Sequence, residues 1–263
     1  MKHDLISQKY LSCDVGDRLI AVIGQMATHQ THTVLIFDGK TFVGMLDPHT
    51  VLRQHTSKET KVKGALHHVK RLSPDATESQ IARDLLDNNV HALPVLKNGK
   101  VLGVVNAIDI ASSLLGSGGR TLIQRFASAR PVYFFETTPI AKALPMLRIH
   151  HLDHAPIVDE HMNVTGIVSI SDILMRYVKL PLERQGSRRV KRASANVNSR
   201  VAAGALGIGA LATSLVITAK PTDTIRKAVD LMYENGISSV VLTESEHLVG
   251  IITLTDVLRV LIS

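Results

Sequence analysis

Gly44-Met45-Leu46-Asp47-Pro48-His49-Thr50, Gly103-Val104-Val105-Asn106-Ala107-Ile108-Asp109, Gly166-Ile167-Val168-Ser169-Ile170-Ser171-Asp172 and Gly250-Ile251-Ile252-Thr253-Leu254-Thr255-Asp256 are four versions of one phrase. Their glycines are 59, 63 and 84 residues apart. Self-similarity at such spacing marks a chain built from repeated supersecondary units. The long last interval holds an insertion, a basic segment followed by an Ala/Gly-rich stretch.

The residues around each phrase predict one order of elements. In the fourth unit, Leu215-Val216-Ile217 reads as a short strand and Pro221-Thr222-Asp223 as a turn and helix cap. Ile225, Ala228, Val229 and Met232 follow at helical spacing, and Asn235-Gly236 ends the helix. Ser239-Val240-Val241-Leu242 and Leu248-Val249-Gly250-Ile251-Ile252 are two strands around a polar turn. The run from Asp256 to Ile262 closes the unit as a second helix. The other units agree: Asn98-Gly99 and Asp38-Gly39 are hairpin signals. In the third, Thr138-Pro139 opens a helix carrying Ile140, Ala143, Leu144 and Leu147, within which Pro145 predicts a kink. The expected fold is α/β of the α+β type, with strand-helix-strand-strand-helix units. One such unit of about 50–60 residues buries too little surface to stand alone, so pairing of units is expected. The boundaries are 1–60, 61–120, 121–180, a linker at 181–204, and 205–263.

Composition sets the outer limits. The chain has 263 residues, enough for one or two domains, with 45% hydrophobic and 20% charged residues. That balance excludes a largely disordered protein. Aromatics are only 3% and Trp is absent, so the core is aliphatic. The one cysteine, Cys13, excludes an intramolecular disulfide and a Cys-based zinc finger and suits a reducing, cytoplasmic compartment. Met1-Lys2-His3-Asp4-Leu5 leads into no apolar run, so no secretory leader is expected. Val201 to Ala219 lacks charge over nearly a membrane-spanning length. It is Ala- and Gly-rich, however, and ends in strand-forming residues, so no membrane partner is expected.

Net charge is +7, and Arg184, Arg188, Arg189, Lys191, Arg192 and Arg200 supply +6 of it with no acid between them. Such a cluster is either a solvated linker or an attractor of phosphate-rich partners. Nucleic acid is therefore the alternative partner, held through Arg188, Arg189, Lys191 and Arg192. The segment has no aromatic platform for bases.

The fourfold phrase is similar to the CBS domain, the cystathionine-β-synthase type motif, over nearly the whole chain apart from the basic segment. Four copies imply two tandem pairs, called Bateman modules, associating into a disc within the chain or as a homodimer. The resemblance implies adenosine-containing ligands in clefts between paired repeats: AMP, ADP, ATP or S-adenosylmethionine. These are regulatory ligands, and no catalytic cofactor is expected. The chemistry fits. A carboxylate at a helix start accepts hydrogen bonds from a ribose diol, and a hydroxyl three residues earlier meets phosphate or sugar beside free N–H groups. By this reading Ser169, Ser171 and Asp172 form one ribose-phosphate set and Thr253, Thr255 and Asp256 another. Asn106 and Asp109 form a weaker set in unit two. In unit one Asp47 and Thr50 depart from the pattern, so that site is empty or structural. The base pockets, by the same resemblance, use Ile217, Thr218, Ala219, Ile237 and Ser238 in unit four. In unit three they use Val132, Tyr133, Phe134, Ala155 and Pro156. His91, ahead of Leu93-Pro94-Val95, resembles the phosphate-facing histidine of nucleotide-sensing members. The bland alternative for each Ser/Thr-x-x-Asp is a helix cap.

His150, His151 and His154 are the densest set among 13 histidines, yet no recognised zinc spacing includes them, and no metal site is expected. There is no Walker-type loop, no Gly-x-Ser-x-Gly elbow and no dinucleotide fingerprint. The expectation is a ligand sensor acting through a separate effector protein, not an enzyme.

Overall fold

The computed structural model describes residues 3–29, 31–46, 48–53, 59–116, 119–174 and 206–263. The basic segment with Arg188, Arg189, Lys191 and Arg192, and also Asp47, lie outside the described residues. Repeat 1 comprises β1 (Leu11–Asp14), α1 (Leu19–His29), β2 (Val34–Asp38), β3 (Thr41–Leu46) and α2 (Pro48–Arg53), with β4 (Leu66–His67) added to its sheet. Repeat 2 has α3 (Glu78–Asn88), β5 (Ala92–Lys97), β6 (Lys100–Asn106) and α4 (Ala107–Leu115). A parallel bridge from Leu72 to Val95 stands for its leading strand. Repeat 3 has β7 (Phe134–Phe135), α5 (Ile140–Ile149), β8 (His154–Val158), β9 (Val164–Ser169) and a helical stretch over 170–174, α6. Repeat 4 has β10 (Thr218–Ala219), α7 (Ile225–Asn235), β11 (Ser239–Glu244), β12 (His247–Thr253) and α8 (Leu254–Ile262).

The order strand, helix, strand, strand, helix recurs four times, and local chemistry explains it. On α7 the predicted stripe Ile225, Ala228, Val229 and Met232 is buried. The cap falls at Thr224, whose side chain accepts from the Lys227 amide at 3.3 Å, one residue beyond the predicted turn. Gly236 ends the helix at φ 64°, a conformation that costs glycine nothing. Asn98 and Gly99 both take positive φ, 51° and 77°, and turn β5 into β6. α5 runs through Pro145 to Ile149 as one helix. The segment 206–219 holds a single 3-10 turn (Ile208–Leu211) and β10, and no helix among the described residues is long and apolar enough to cross a membrane.

Two kinds of contact assemble the repeats. Sheets join repeat 1 to repeat 2, where Leu35, Phe42 and Met45 pack on Ala92 and Val104. Helices join repeat 2 to repeat 4, where α3 and α4 share one core with α7 and α8 through residues such as Leu85, Ile110, Met232 and Leu258. Repeat 1 meets repeat 3 through Leu174, which lies in the core of repeat 1, and Leu52, which packs against the core of repeat 3. The ring therefore runs 1–2–4–3. Both pairs come from one chain.

Within each pair, the segment that precedes a repeat packs on the other repeat. Ser7 bridges to Val104 of repeat 2. Residues 60–67 return to repeat 1, with Val62 and Lys63 donating to the carbonyls of Asp17 and Val15. Ile123, ahead of repeat 3, sits in the core shared by repeats 2 and 4, and Ser128 bridges to Ile251. Ile208 and Leu211, ahead of repeat 4, sit in the core of repeat 3, and Thr213 bridges to Ile167. The glycine opening each repeated phrase is where this segment lands. A Cβ on Gly44 would meet the His67 carbonyl at 2.5 Å, and one on Gly250 the Ser128 carbonyl at 2.9 Å. At Gly44, Gly103 and Gly250 the repeated glycine is thus a docking requirement for the neighbouring segment.

Candidate functional site

The three acids predicted to grip ribose all stand at the start of the second helix of their repeat. In repeat 4, Thr253 Oγ1 donates to Asp256 Oδ2 at 2.6 Å, the Thr253 amide donates to the same oxygen at 2.9 Å, and the Asp256 amide donates back to Thr253 Oγ1 at 3.2 Å. This is a reciprocal capping box. Repeat 3 repeats it, with Ser169 Oγ donating to Asp172 Oδ2 at 2.7 Å and the Asp172 amide donating to Ser169 Oγ at 3.0 Å. In repeat 2, Asn106 Nδ2 donates to Asp109 Oδ2 at 2.9 Å, and Asn106 caps no amide with its side chain. Each acid thus commits one carboxylate oxygen to the helix start. Among the described residues Oδ1 of Asp172 accepts no hydrogen bond, and Oδ1 of Asp256 faces Arg259 at 3.7 Å. Each of these side chains is half-buried. The cap thus occupies Oδ2 of Asp172 and of Asp256.

The strands leading to these acids, β9 and β12, are flanked by the exchanged segments at Thr213 and Ser128. The strand before each acid thus has a neighbour from its own repeat on one side and the segment preceding the pair-mate on the other. Among the predicted base-pocket residues, Phe134 and Ala155 lie in the core of repeat 3, and Ala219 in the core shared by repeats 2 and 4. Pro156 is buried as well. These residues can offer only backbone groups to a base. Val132, Ile217, Ile237 and Ser238 are half-buried, while Tyr133 and Thr218 are exposed. Tyr133 stacks edge-on with Phe135 at 5.9 Å.

His91 and Thr255 come together at a narrow crevice between repeats 2 and 4, beside Leu86 and Leu258. His91 also marks a position shared by the repeats. The carbonyls of His91, Asp153 and Ser238 each accept at 2.8 Å from the first amide of the second helix, from Ala107, Ile170 and Leu254 respectively. His32 holds the same place ahead of β2. Around this centre His91 Nε2 approaches Asp153 Oδ2 at 3.6 Å. His154, next along β8, has its pKa pushed down to about 4, chiefly by loss of water around the ring, against the pull of Asp153. His32 is lowered for the same main reason, against Asp172 and reinforced by His91. No three His, Cys, Asp or Glu side chains among the described residues gather closely enough to hold a metal ion.

A wider opening lies elsewhere. A cavity of about 520 Å³ sits at the outer end of β9, lined by Thr165, Glu136, Thr137 and the exchanged segment from Gly207 to Ser214. It includes none of the side chains singled out from sequence. The signal that would have found it is the run of small residues Gly207, Gly209, Ala210 and Ala212.

Residues 65–116, 123–179 and 208–263 each match the CBS domain, so repeats 2, 3 and 4 carry the match. Protein YegH of Escherichia coli K12 is 32% identical over 127 residues, 47% of this chain and 24% of that protein. The γ-3 subunit of 5′-AMP-activated protein kinase from Sus scrofa is 25% identical over 223 residues, 79% of this chain and 40% of that protein. The chain thus spans well under half the length of these relatives. The crystal structure of protein MJ1225 from Methanocaldococcus jannaschii, described as an archaeal homologue of g-AMPK, superposes with a TM-score of 0.82 at 14% identity. It covers 98% of this chain and 99% of that one. That likeness shows the four-repeat fold.

Proposed function

The chain belongs to the CBS domain family, and from that premise we propose that it is a regulatory sensor of adenosine-type ligands. The observation that carries the reading is the pair of half-buried carboxylates, Asp172 and Asp256. Each stands at a helix N-terminus with Oδ2 held by a cap, while Oδ1 of Asp172 accepts no hydrogen bond among the described residues and Oδ1 of Asp256 faces Arg259 at 3.7 Å. A carboxylate held in this way is preorganised to accept from vicinal hydroxyls, as a ribose presents them. The relationship to a subunit of an AMP-activated kinase supports the same ligand class. The physiological ligand in this reading is an adenine nucleotide or an adenosyl relative such as S-adenosylmethionine. A ligand that fills a crevice contacts both repeats of a pair, so it stabilises the docked state of the exchanged segment. It shifts the protein's conformational balance only by its differential affinity for the docked and loosened states. A separate effector protein reads that balance.

The test is a thermal-shift panel of AMP, ADP, ATP, adenosine and S-adenosylmethionine, followed by calorimetry on Asp172→Asn and Asp256→Asn. Asparagine keeps an oxygen for the cap and removes the charge. Loss of a charged hydrogen bond weakens binding by about 1.5–3 kcal/mol at the affected site. Unchanged affinity in both variants, or no ligand raising the melting temperature, overturns the proposal.

A further inference from the structure

We infer that the cavity at the outer end of β9 is a second binding site, separate from the carboxylate crevices, and that it takes a small aliphatic amine in its ammonium form. The cavity measures about 520 Å³, within the range of small-molecule sites. Its shape is written into repeat 3 alone. The strand position held by Thr165 carries Val43, Leu102 and Val249 in the other repeats, and the latter two are half-buried apolar contacts. The facing segment has no room for side chains. A Cβ on Gly207 would meet the Glu136 carbonyl at 2.5 Å, and one on Gly209 the Glu136 Cβ at 2.9 Å. Where the segment docked on repeat 4 offers Gln124 and Arg125, this one offers Gly209 and Ala210.

The lining decides the ligand's charge. Glu136 is its one ionisable side chain, and Thr137, Thr165 and Ser214 add hydroxyls. With no basic residue in the wall, a phosphate or carboxylate finds no partner there. An ammonium finds a carboxylate and three oxygens that accept its protons, and the apolar floor of Ile157, Ala210 and Ala212 suits a short methylene chain. A second observation is independent of the cavity: Thr165 Oγ1 is shut from solvent and has no hydrogen-bond partner. Buried hydroxyls are nearly always bonded, so an orphan at the edge of a cavity points to a missing partner.

The experiment is calorimetric titration of the full chain with putrescine, with 1,4-butanediol as its uncharged counterpart. Putrescine is expected to bind, butanediol is not, and Glu136→Gln is expected to weaken putrescine about tenfold, the share of one charge-assisted hydrogen bond. Thr165→Val is expected to weaken it by a smaller factor, while Asp172→Asn leaves it unchanged. Both new variants change side chains at the wall without altering size, and their melting curves check that they fold. Absence of putrescine binding, equal binding of butanediol, or insensitivity to Glu136→Gln overturns the inference. None of these outcomes bears on the adenosine reading.

Discussion

Replacing Gly44 by alanine should undock residues 60–67 from repeat 1. The added Cβ would stand 2.5 Å from the His67 carbonyl oxygen and 2.8 Å from Leu66 Cδ1, and the first of these is backbone that cannot swing aside. Gly44 has no positive φ, so the effect is steric alone. Full release would forfeit the pairing of β3 with β4, roughly two backbone bonds at about 1 kcal/mol each. It would also expose Val62, now fully buried, at about 1.5–3 kcal/mol. These two contributions come to about 3.5–5 kcal/mol, and partial relaxation of the strand brings the expectation to about 2–4 kcal/mol. Gly166→Ala is the internal control. Its nearest new contact is the Ala212 side chain at 3.1 Å, with the Thr213 carbonyl at 3.3 Å, so a shift of a few tenths of an ångström accommodates it at under about 1 kcal/mol. Urea unfolding gives both values. Hydrogen exchange at the Val62 and Lys63 amides, which donate to Asp17 and Val15, reports docking directly. If Gly44→Ala costs no more than Gly166→Ala and those amides stay protected, the docking role of the glycine is wrong.

Acid should loosen the centre of the ring. The His154 pKa lies below that of an unfolded histidine, so the unfolded chain binds the extra proton first, and stability present above about pH 6.5 is lost as pH falls toward about 4. That loss is at most about 3–4 kcal/mol, and His154→Ser, which copies Ser239 of repeat 4, should flatten this part of the pH–stability profile. A profile of unchanged slope would refute the assignment. The Cys13 thiol, pushed up to about 12 mainly by burial, should resist iodoacetamide at pH 8 in folded protein and react in urea, as read by mass spectrometry. Pro145→Ala should restore an amide to the exposed surface of α5 and raise unfolding stability by about 1–3 kcal/mol, and a drop in stability would count against that account.

The four units were legible because their signals are local. The stripe on α7, the stop at Gly236 and the turn at Asn98-Gly99 each depend on residues a few positions apart, and all three formed as the pattern requires. The ring order 1–2–4–3 was not legible, since which helices meet depends on the fit of faces far apart in sequence, such as Leu85 against Leu258. The exchange was hidden for a related reason. Its signature is an absent side chain, and a glycine in a strand does not announce which backbone will approach it. At the acids, residue types suggested both a cap and a ligand contact, and the structure forms the cap, through Oδ2. The rim cavity left only a run of small residues in the chain, easily taken for linker composition.

The crossing of leading segments has a consequence for how such chains can be rearranged. A repeat cut out at its apparent sequence borders would carry a strip that belongs to its twin and lack the strip that completes itself. Neither gene duplication nor protein engineering can therefore trade these modules singly. The smallest piece that arrives whole is the couple, and a graft of Ala65–Leu115 or Ile123–Leu174 alone would leave an open seam along the strand that bears Gly103 or Gly166.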